Sequence, residues 1–195
     1  MLSQRETAIR EWVRPGYPEM NSRRAAMKTE HSLSAALVDA PMSHYFRRKF
    51  ADLPDDELAC RIEETLRFLF ISHECSGSIP VSKDIDEVWH AWILQTQEYT
   101  ALCEKLPTGR FIHHSSNDYL SFFDPLVGER DGLELDVRML ALYVTNFGPF
   151  DERRARHWLL AHHLLQRCGW SLSELNGWLL ESSSGASAST QPVVA

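Results

Sequence analysis

Long apolar runs are missing from this chain of 195 residues. No stretch approaches the roughly 18 apolar residues that a membrane-spanning helix requires, so we expect no membrane partner. The N-terminal segment, Met-Leu-Ser-Gln-Arg-Glu-Thr, also lacks the apolar stretch of a secretory signal peptide. A soluble protein with a cytoplasmic location is therefore the default expectation.

Cysteine is scarce, with four in the chain and no Cys-x-x-Cys pair. The four are spread along the sequence at Cys60, Cys75, Cys103 and Cys168. Disulfide frameworks and zinc fingers need recurring, closely spaced cysteines, and the sequence has no such pattern. It favours reduced thiols that are buried as small apolar side chains.

An excess of positive charge is also missing. The chain has 20 Lys and Arg against 27 Asp and Glu, which gives a formal net charge of −7. Such an acidic body repels the phosphate backbone of nucleic acids, and no DNA- or RNA-binding motif interrupts it. Nucleic acid is therefore not an expected partner, and the oligomeric state is not indicated.

Strand patterns are rare, and helical periodicity runs through most of the sequence. Hydrophobic residues make up 44% of the chain and charged residues 24%, as in an ordinary globular domain. We predict an all-α fold, a single irregular domain of about six helices over residues 32–181 with at most a couple of very short strands. Residues 1–31 are predicted to form a flexible N-terminal extension, and the Ser/Ala-rich residues 182–195 a disordered tail.

Two predicted helices matter most for function. Apolar residues recur at steps of three and four between Leu58 and Phe70, which predicts a helix over about 54–72 with its charged residues, including Glu63 and Glu64, largely off the apolar face. Asp84 followed three residues later by a glutamate has the pattern of a capping box. It predicts the start of a central helix that continues to about residue 105.

Later in the chain, helix boundaries are marked by local signals. Gly148 and the proline after it end a helix predicted over about 133–147. Asp151 is the expected N-cap of the next helix, and Ser171 with Glu174 forms a capping box for the last one.

The densest chemistry in the sequence lies on and after the central helix. Asp86 and His90 are one helical turn apart on the same face, with about 5–6 Å between their Cβ atoms. A turn at Gly109 can fold His113 and His114 back toward that face. The sequence therefore predicts that up to three imidazoles and a carboxylate converge on one spot.

This convergence suggests a mononuclear metal site. The expected ligands are His90 with His113 or His114 or both, and Asp86 is either a ligand or the partner that orients His90. Two imidazoles and a carboxylate suit Fe or Zn with open positions for water or substrate, and no strict ligand spacing separates these two metals.

Other interpretations of the same residues remain open. Asp86 and His90 could carry out metal-free acid–base catalysis, or the histidines could only satisfy polar groups beside an aromatic core. Trp89, Tyr99 and Cys103 are predicted to line the pocket. The Cys103 thiol could act as a nucleophile, although its place on the apolar stripe favours a buried, inert thiol.

A second group of basic residues lies on the helix after Asp151. Its histidines lack the one-turn spacing that chelates a metal, so they are interpreted as core and rim residues, whereas the arginines could recognise an anion. The group consists of His157, His162, His163, Arg153, Arg154 and Arg156.

Part of the chain resembles the glycine-rich domain-containing protein-like family. The similar elements are Asp-x-x-Trp-His, Thr-x-x-Tyr, a cysteine and Gly-x-x-x-His, found here as 86–90, 96–99, Cys103 and 109–113, with the likeness extending over about 58–158. The chain departs from that family because it has no glycine-rich tract and has Ala91-Trp92 where many relatives carry a further histidine. The resemblance implies a fold and a site location rather than a reaction.

Two classes of function follow from the sequence. One is a metal-dependent enzyme that acts on a small-molecule or peptide-like substrate. The other is a non-catalytic module that binds a protein partner, with the histidines and tryptophans in structural roles.

Overall fold

The computed structural model describes residues 32–75, 79, 81–115 and 132–184. The predicted extension 1–31 and the predicted tail from 185 onward lie outside these ranges. The final helix continues to Ser184, slightly beyond the predicted end of the domain at residue 181.

The described part of the chain forms nine helices and no strand, which confirms the all-α fold class. None of these helices is long and apolar enough to cross a membrane. They are α1 (Leu33–Leu37), α2 (Ala40–Lys49), α3 (Asp55–Ser72), α4 (Lys83–Ile93), α5 (Thr96–Lys105), α6 (Gly132–Phe147), α7 (Glu152–Ala155), α8 (Leu159–Gln166) and α9 (Leu172–Ser184).

Helix α3 is the centre of the domain, since α1, α2, α4 and α6 all contact it. The predicted stripe is buried, from Leu58 to Phe70, and in the second half of the helix side chains on every face are buried. A helix that is surrounded in this way must pair any polar group it carries.

The predicted position of Glu63 and Glu64 off the core is wrong, because both side chains are buried. Glu63 acts as a cap for α1 from a distance: its carboxylate accepts hydrogen bonds from the backbone N–H groups of Leu33 at 3.0 Å and Ser34 at 2.9 Å. Burial acts to raise the pKa of Glu63, but these hydrogen bonds and one from Ser32 lower it below its ordinary value.

The predicted central helix is two helices, α4 and α5, separated by residues 94–95. The reason is a contact across the break, where the Trp89 indole N–H donates to the Tyr99 hydroxyl at 2.9 Å. In one straight helix these residues would be about 15 Å apart along the axis, so the chain must turn between them. The N-cap of α4 is Ser82 rather than Asp84, and this leaves the Asp84 carboxylate free for other partners.

The helix predicted after Asp151 is also divided, into α7 and α8. The Asp151 side chain caps α7 as predicted, accepting from the Arg154 N–H at 2.8 Å. The capping box of α9 is confirmed as well, since Ser171 N–H donates to Glu174 at 2.7 Å and Glu174 N–H donates to the Ser171 hydroxyl at 3.2 Å. The division of these two predicted helices accounts for most of the difference between the roughly six helices predicted and the nine in the described part of the chain.

Candidate functional site

Helix α4 provides the first two residues of the candidate site. Asp86 and His90 lie one turn apart, with His90 Nδ1 at 3.2 Å from Asp86 Oδ2. The same nitrogen lies 2.8 Å from the backbone carbonyl oxygen of Asp86, so Nδ1 carries the proton and donates it. The predicted one-turn pair is therefore formed.

His114 joins this pair from the segment after α5. Gly109 has a positive φ of 61° and donates its N–H to the Leu106 carbonyl at 2.9 Å, which turns the chain back toward α4. His114 Nε2 then lies 2.9 Å from Asp86 Oδ1, and the centroids of the His90 and His114 rings are 4.3 Å apart. One carboxylate is thus shared between two imidazoles.

The site opens to solvent on one side. The exposed fractions of the side chains are 53% for His90, 34% for Asp86 and 15% for His114. The buried Trp89 ring forms the inner wall, because its centroid lies 4.5 Å from that of His114 in an edge-to-face contact. A ligand can therefore approach from the His90 side.

The structure does not bring His113 into this group. Its side chain is exposed, and its ring packs against Phe111 with centroids 5.0 Å apart. Exposure alternates from residue to residue over 111–115, with only Ile112 and His114 partly buried, as in an extended segment whose successive side chains point to opposite sides. His113 therefore faces away when His114 faces Asp86. The structure brings together two imidazoles rather than three.

The three predicted pocket residues have different roles. Trp89 lines the inner side of the site, and Tyr99 lies behind it with 1% exposure. Cys103 is also 1% exposed, so its thiol does not line an open pocket. The four cysteines are all free, as predicted, but only Cys103 is buried and the other three are partly exposed. Burial raises the pKa of the Tyr99 hydroxyl above its ordinary value.

The spacing of the three side chains fits a metal ion. Two ligand atoms at about 2.1 Å from one ion, separated by an angle of about 90–110°, are about 3.0–3.4 Å apart. The Asp86 carboxylate is already 2.9 Å from His114 Nε2. His90 Nδ1 lies 3.2 Å from the same carboxylate but donates its proton to a backbone carbonyl, so His90 would bind the ion through Nε2. One ligand atom from each residue can be chosen so that all three lie within 4.8 Å of one another.

A second group, which the sequence did not reveal, lies where α3, α4 and α7 meet. The fully buried His157 donates from Nδ1 to Asp84 at 2.9 Å, and its Nε2 accepts from Arg156 Nε at 3.4 Å. Burial lowers the pKa of His157 below its ordinary value, although Asp84 and Glu57 act to raise it. Because both ring nitrogens are engaged, His157 is held in the neutral form.

This second group does not need a metal, because an arginine already supplies positive charge. Arg61 Nη1 lies 2.8 Å from Asp84, and Arg61 Nε lies 2.8 Å from Glu57. The other two histidines of the predicted basic group, His162 and His163, are exposed on α8. The group is therefore an internal network of ion pairs and hydrogen bonds.

The arginine run also has partners within the chain, which does not favour the expected anion recognition. Arg153 pairs with Asp56 at 3.0 Å, and Arg156 pairs with Glu57. Arg154 pairs with Asp151 at 3.0 Å. The contacts to Asp56 and Glu57 attach this part of the chain to the first turn of α3.

Glu64 is the most deeply buried carboxylate among the described residues. Its Oε2 accepts from the Trp158 indole N–H at 2.8 Å, and its Oε1 has no hydrogen-bond partner in the described part. The guanidinium groups of Arg67 and Arg154 lie 3.6 and 3.7 Å from Oε1. Burial raises the pKa of Glu64 to about 7, against the effect of these two charges.

One signal in the sequence could have indicated the burial of Glu64. The residues that follow it in α3 include Phe68, Leu69, Phe70 and Ile71, so the helix is apolar on all faces there. A charged residue immediately before such a segment is expected to be buried and paired.

A family model described as UCP032817-like matches residues 24–134. The chain belongs to the UCP032817-like family. The match covers more than half of the chain and includes Asp86, His90 and His114, whereas His157 lies beyond its end. No curated protein and no solved structure matches this member of the family.

The resemblance to the glycine-rich domain-containing protein-like family is wrong, because the UCP032817-like family is the one that the chain matches. The elements that suggested it are short, and the chain lacks the glycine-rich tract. A pattern such as Asp-x-x-Trp-His requires only a one-turn pair and a buried aromatic residue, which many helices can supply. The UCP032817-like family is itself uncharacterised. A function can therefore be inferred only from the geometry of Asp86, His90 and His114.

Proposed function

We propose that this protein binds a single divalent transition-metal ion through Asp86, His90 and His114. The observation that carries the proposal is the position of the Asp86 carboxylate, 2.9 Å from His114 and 3.2 Å from His90. A carboxylate that contacts two imidazoles at these distances can share an ion with them, with His90 binding through the Nε2 that its backbone contact leaves unprotonated. Two nitrogen ligands and one oxygen ligand suit Zn or Fe(II).

The exposure of the site supports a role beyond a structural metal. Three protein ligands leave open coordination positions, which is typical of catalytic rather than structural sites. The open positions would face solvent beside His90, whereas Trp89 closes the inner side. A bound metal would act as a Lewis acid toward water or substrate at this point.

The surroundings indicate how the protein would support this chemistry. His90 donates from Nδ1 to a backbone carbonyl, a contact that fixes its ring orientation. The ring of His114 is held against Trp89. We therefore propose a metal-dependent enzyme whose small-molecule or peptide-like substrate approaches the exposed His90 side.

Metal titration of purified, chelator-treated and dialysed protein tests this proposal. The wild-type protein is expected to bind one equivalent of Zn(II) or, without oxygen, Fe(II), as measured by calorimetry and elemental analysis. His114→Ala is expected to weaken binding by more than about 100-fold, because changes to outer contacts of a metal site alone cost about 10–100-fold. Binding is also expected to weaken in acid, because protonated imidazoles cannot bind metal.

His113→Ala is the matched control, since it removes the adjacent imidazole, which faces away from Asp86. Its affinity is expected to equal that of the wild-type protein. Equal losses in the two variants, or no binding by the wild-type protein, would overturn the proposal. The second outcome would favour a protein-binding module in which these histidines are structural.

A further inference from the structure

We propose that Tyr99 is a positioning residue, which places His114 at the metal site through a directed hydrogen-bond chain. The chain begins at the Trp89 indole and ends at the backbone carbonyl of Ile112. The inference rests on the proposed function where it concerns metal affinity, but the position of His114 can be measured without metal.

The direction of the chain follows from the chemistry of its groups. The indole nitrogen of Trp89 can only donate, so the Tyr99 oxygen must accept at 2.9 Å. The one hydroxyl proton of Tyr99 is then available for Ile112, whose carbonyl oxygen lies at 2.7 Å. Tyr99 therefore accepts from Trp89 and donates to Ile112.

The segment that carries His114 has few other polar restraints. Within the described residues, no backbone–backbone hydrogen bond involves residues 111–115. The Tyr99 hydroxyl therefore provides the polar contact that holds the backbone two residues before His114. In an extended segment, residues two apart lie on the same side, so fixing Ile112 fixes the side to which His114 points.

Ring contacts cannot replace this hydroxyl. Phe111 packs edge-to-face on the Tyr99 ring, with centroids 5.1 Å apart, and His114 packs in the same manner on Trp89. Such contacts tolerate sliding by a fraction of an ångström, whereas a hydrogen bond to a buried hydroxyl has a narrow optimum in distance. Metal ligation needs ligand atoms that are placed as narrowly as a hydrogen bond places them.

Tyr99→Phe separates these effects, because it keeps the ring and removes only the hydroxyl. The variant is expected to remain folded by circular dichroism, although the Trp89 indole N–H loses its acceptor. We expect Zn(II) affinity to fall by about 10–100-fold. In the metal-free variant, the NMR cross-peaks between the Trp89 and His114 rings are expected to be lost or strongly weakened.

Tyr45→Phe is the matched control, since Tyr45 is a partly buried tyrosine on α2 that packs against Phe46. It is expected to leave both the zinc affinity and the cross-peaks unchanged. A Tyr99→Phe variant with wild-type affinity and intact cross-peaks would overturn the proposal. If the wild-type protein bound no metal, the proposed function would fail, and the cross-peaks alone would decide the role of Tyr99.

A measurement on the wild-type protein covers the case in which Tyr99→Phe does not fold. The Tyr99 hydroxyl proton is expected to exchange slowly with solvent, and more slowly when zinc is bound, because coupling between two sites is reciprocal. A hydroxyl proton that exchanges as fast as that of an exposed tyrosine, or whose protection does not respond to bound zinc, would overturn the proposal.

Discussion

Glu64→Ala is expected to lower the free energy of unfolding by about 2–4 kcal/mol, because it leaves a buried donor unpaired and opens a cavity where a fully buried side chain stood. The substitution leaves the Trp158 indole N–H without its acceptor and removes the carboxylate beside the Arg67 guanidinium. Arg67 keeps Glu63 as a partner at 3.3 Å, so the unpaired indole and the cavity are expected to account for most of the loss. Urea denaturation at pH 7 measures the change.

Glu64→Gln is the control for this substitution, because it preserves the side-chain volume and an acceptor for Trp158. The loss at pH 7 is expected to be about 1 kcal/mol or less, because the amide keeps an acceptor for Trp158 and burial already favours a neutral side chain here. If Glu64→Gln were as destabilising as Glu64→Ala, the lost stability would come mainly from the missing charge rather than from the missing hydrogen bond. If neither were destabilising, the account of this network would be wrong.

The pH dependence of the same pair tests the titration of Glu64. Its pKa in the folded protein is about 7, above the ordinary value of 4.5. The neutral form is therefore favoured by folding, and the associated stability is fully present below about pH 4.5 and lost as the pH rises through 7. The stability of the wild-type protein relative to Glu64→Gln is expected to fall between pH 5 and 8.

This difference isolates Glu64 from groups that act in the opposite direction. Glu63 and His157 both have lowered pKa values in the folded protein, so their contributions are lost as the pH falls. Both residues are present in the wild-type protein and in Glu64→Gln, so their contributions cancel in the stability difference between the two proteins. A wild-type advantage that stayed constant from pH 5 to 8 would show that Glu64 does not titrate in this range.

Asp86→Ala is expected to have the largest effect on metal binding, a loss of about 1,000-fold or more. The substitution removes one ligand and also the group that orients both imidazoles, and loss of an orienting partner alone costs about 10–100-fold. The side chain is 34% exposed, so little stability should be lost with it. Calorimetric titration with Zn(II) and thermal denaturation measure the two effects separately.

Glu87→Ala is the control, because Glu87 is the neighbouring carboxylate on the same helix and pairs with the exposed Lys83 at 3.6 Å. It removes one negative charge near the site without removing a ligand. Its zinc affinity is expected to stay within about twofold of the wild-type value, since exposed charges are strongly screened. A similar loss in Asp86→Ala and Glu87→Ala would indicate only a general attraction of cations by acidic residues.

The parts of the fold that were predictable from sequence depend on short-range chemistry. The caps at Asp151 and Ser171 are set by side chains that bond to backbone groups three residues away. The break at residues 94–95 was not predictable, because it has no glycine or proline and depends on Trp89 reaching Tyr99. Local signals thus predicted where helices begin better than where a long helix divides.

The same distinction applies to the candidate site. The Asp86–His90 pair follows from the helical repeat alone. The choice between His113 and His114 depends on which side of an extended segment faces α4, and the Tyr99 contact to Ile112 fixes that choice. The partners of Glu64 and His157 are 94 and 73 residues away in sequence, so the periodicity of one helix could not indicate them.

Anomalous X-ray diffraction from crystals of the zinc-loaded protein, recorded on both sides of the zinc absorption edge, tests the central claim most directly. The account predicts one strong peak at about 2.0–2.2 Å from a carboxylate oxygen of Asp86 and from one ring nitrogen each of His90 and His114. A peak beside Glu57, Asp84 and His157 instead, or no ordered zinc in the protein, would contradict it.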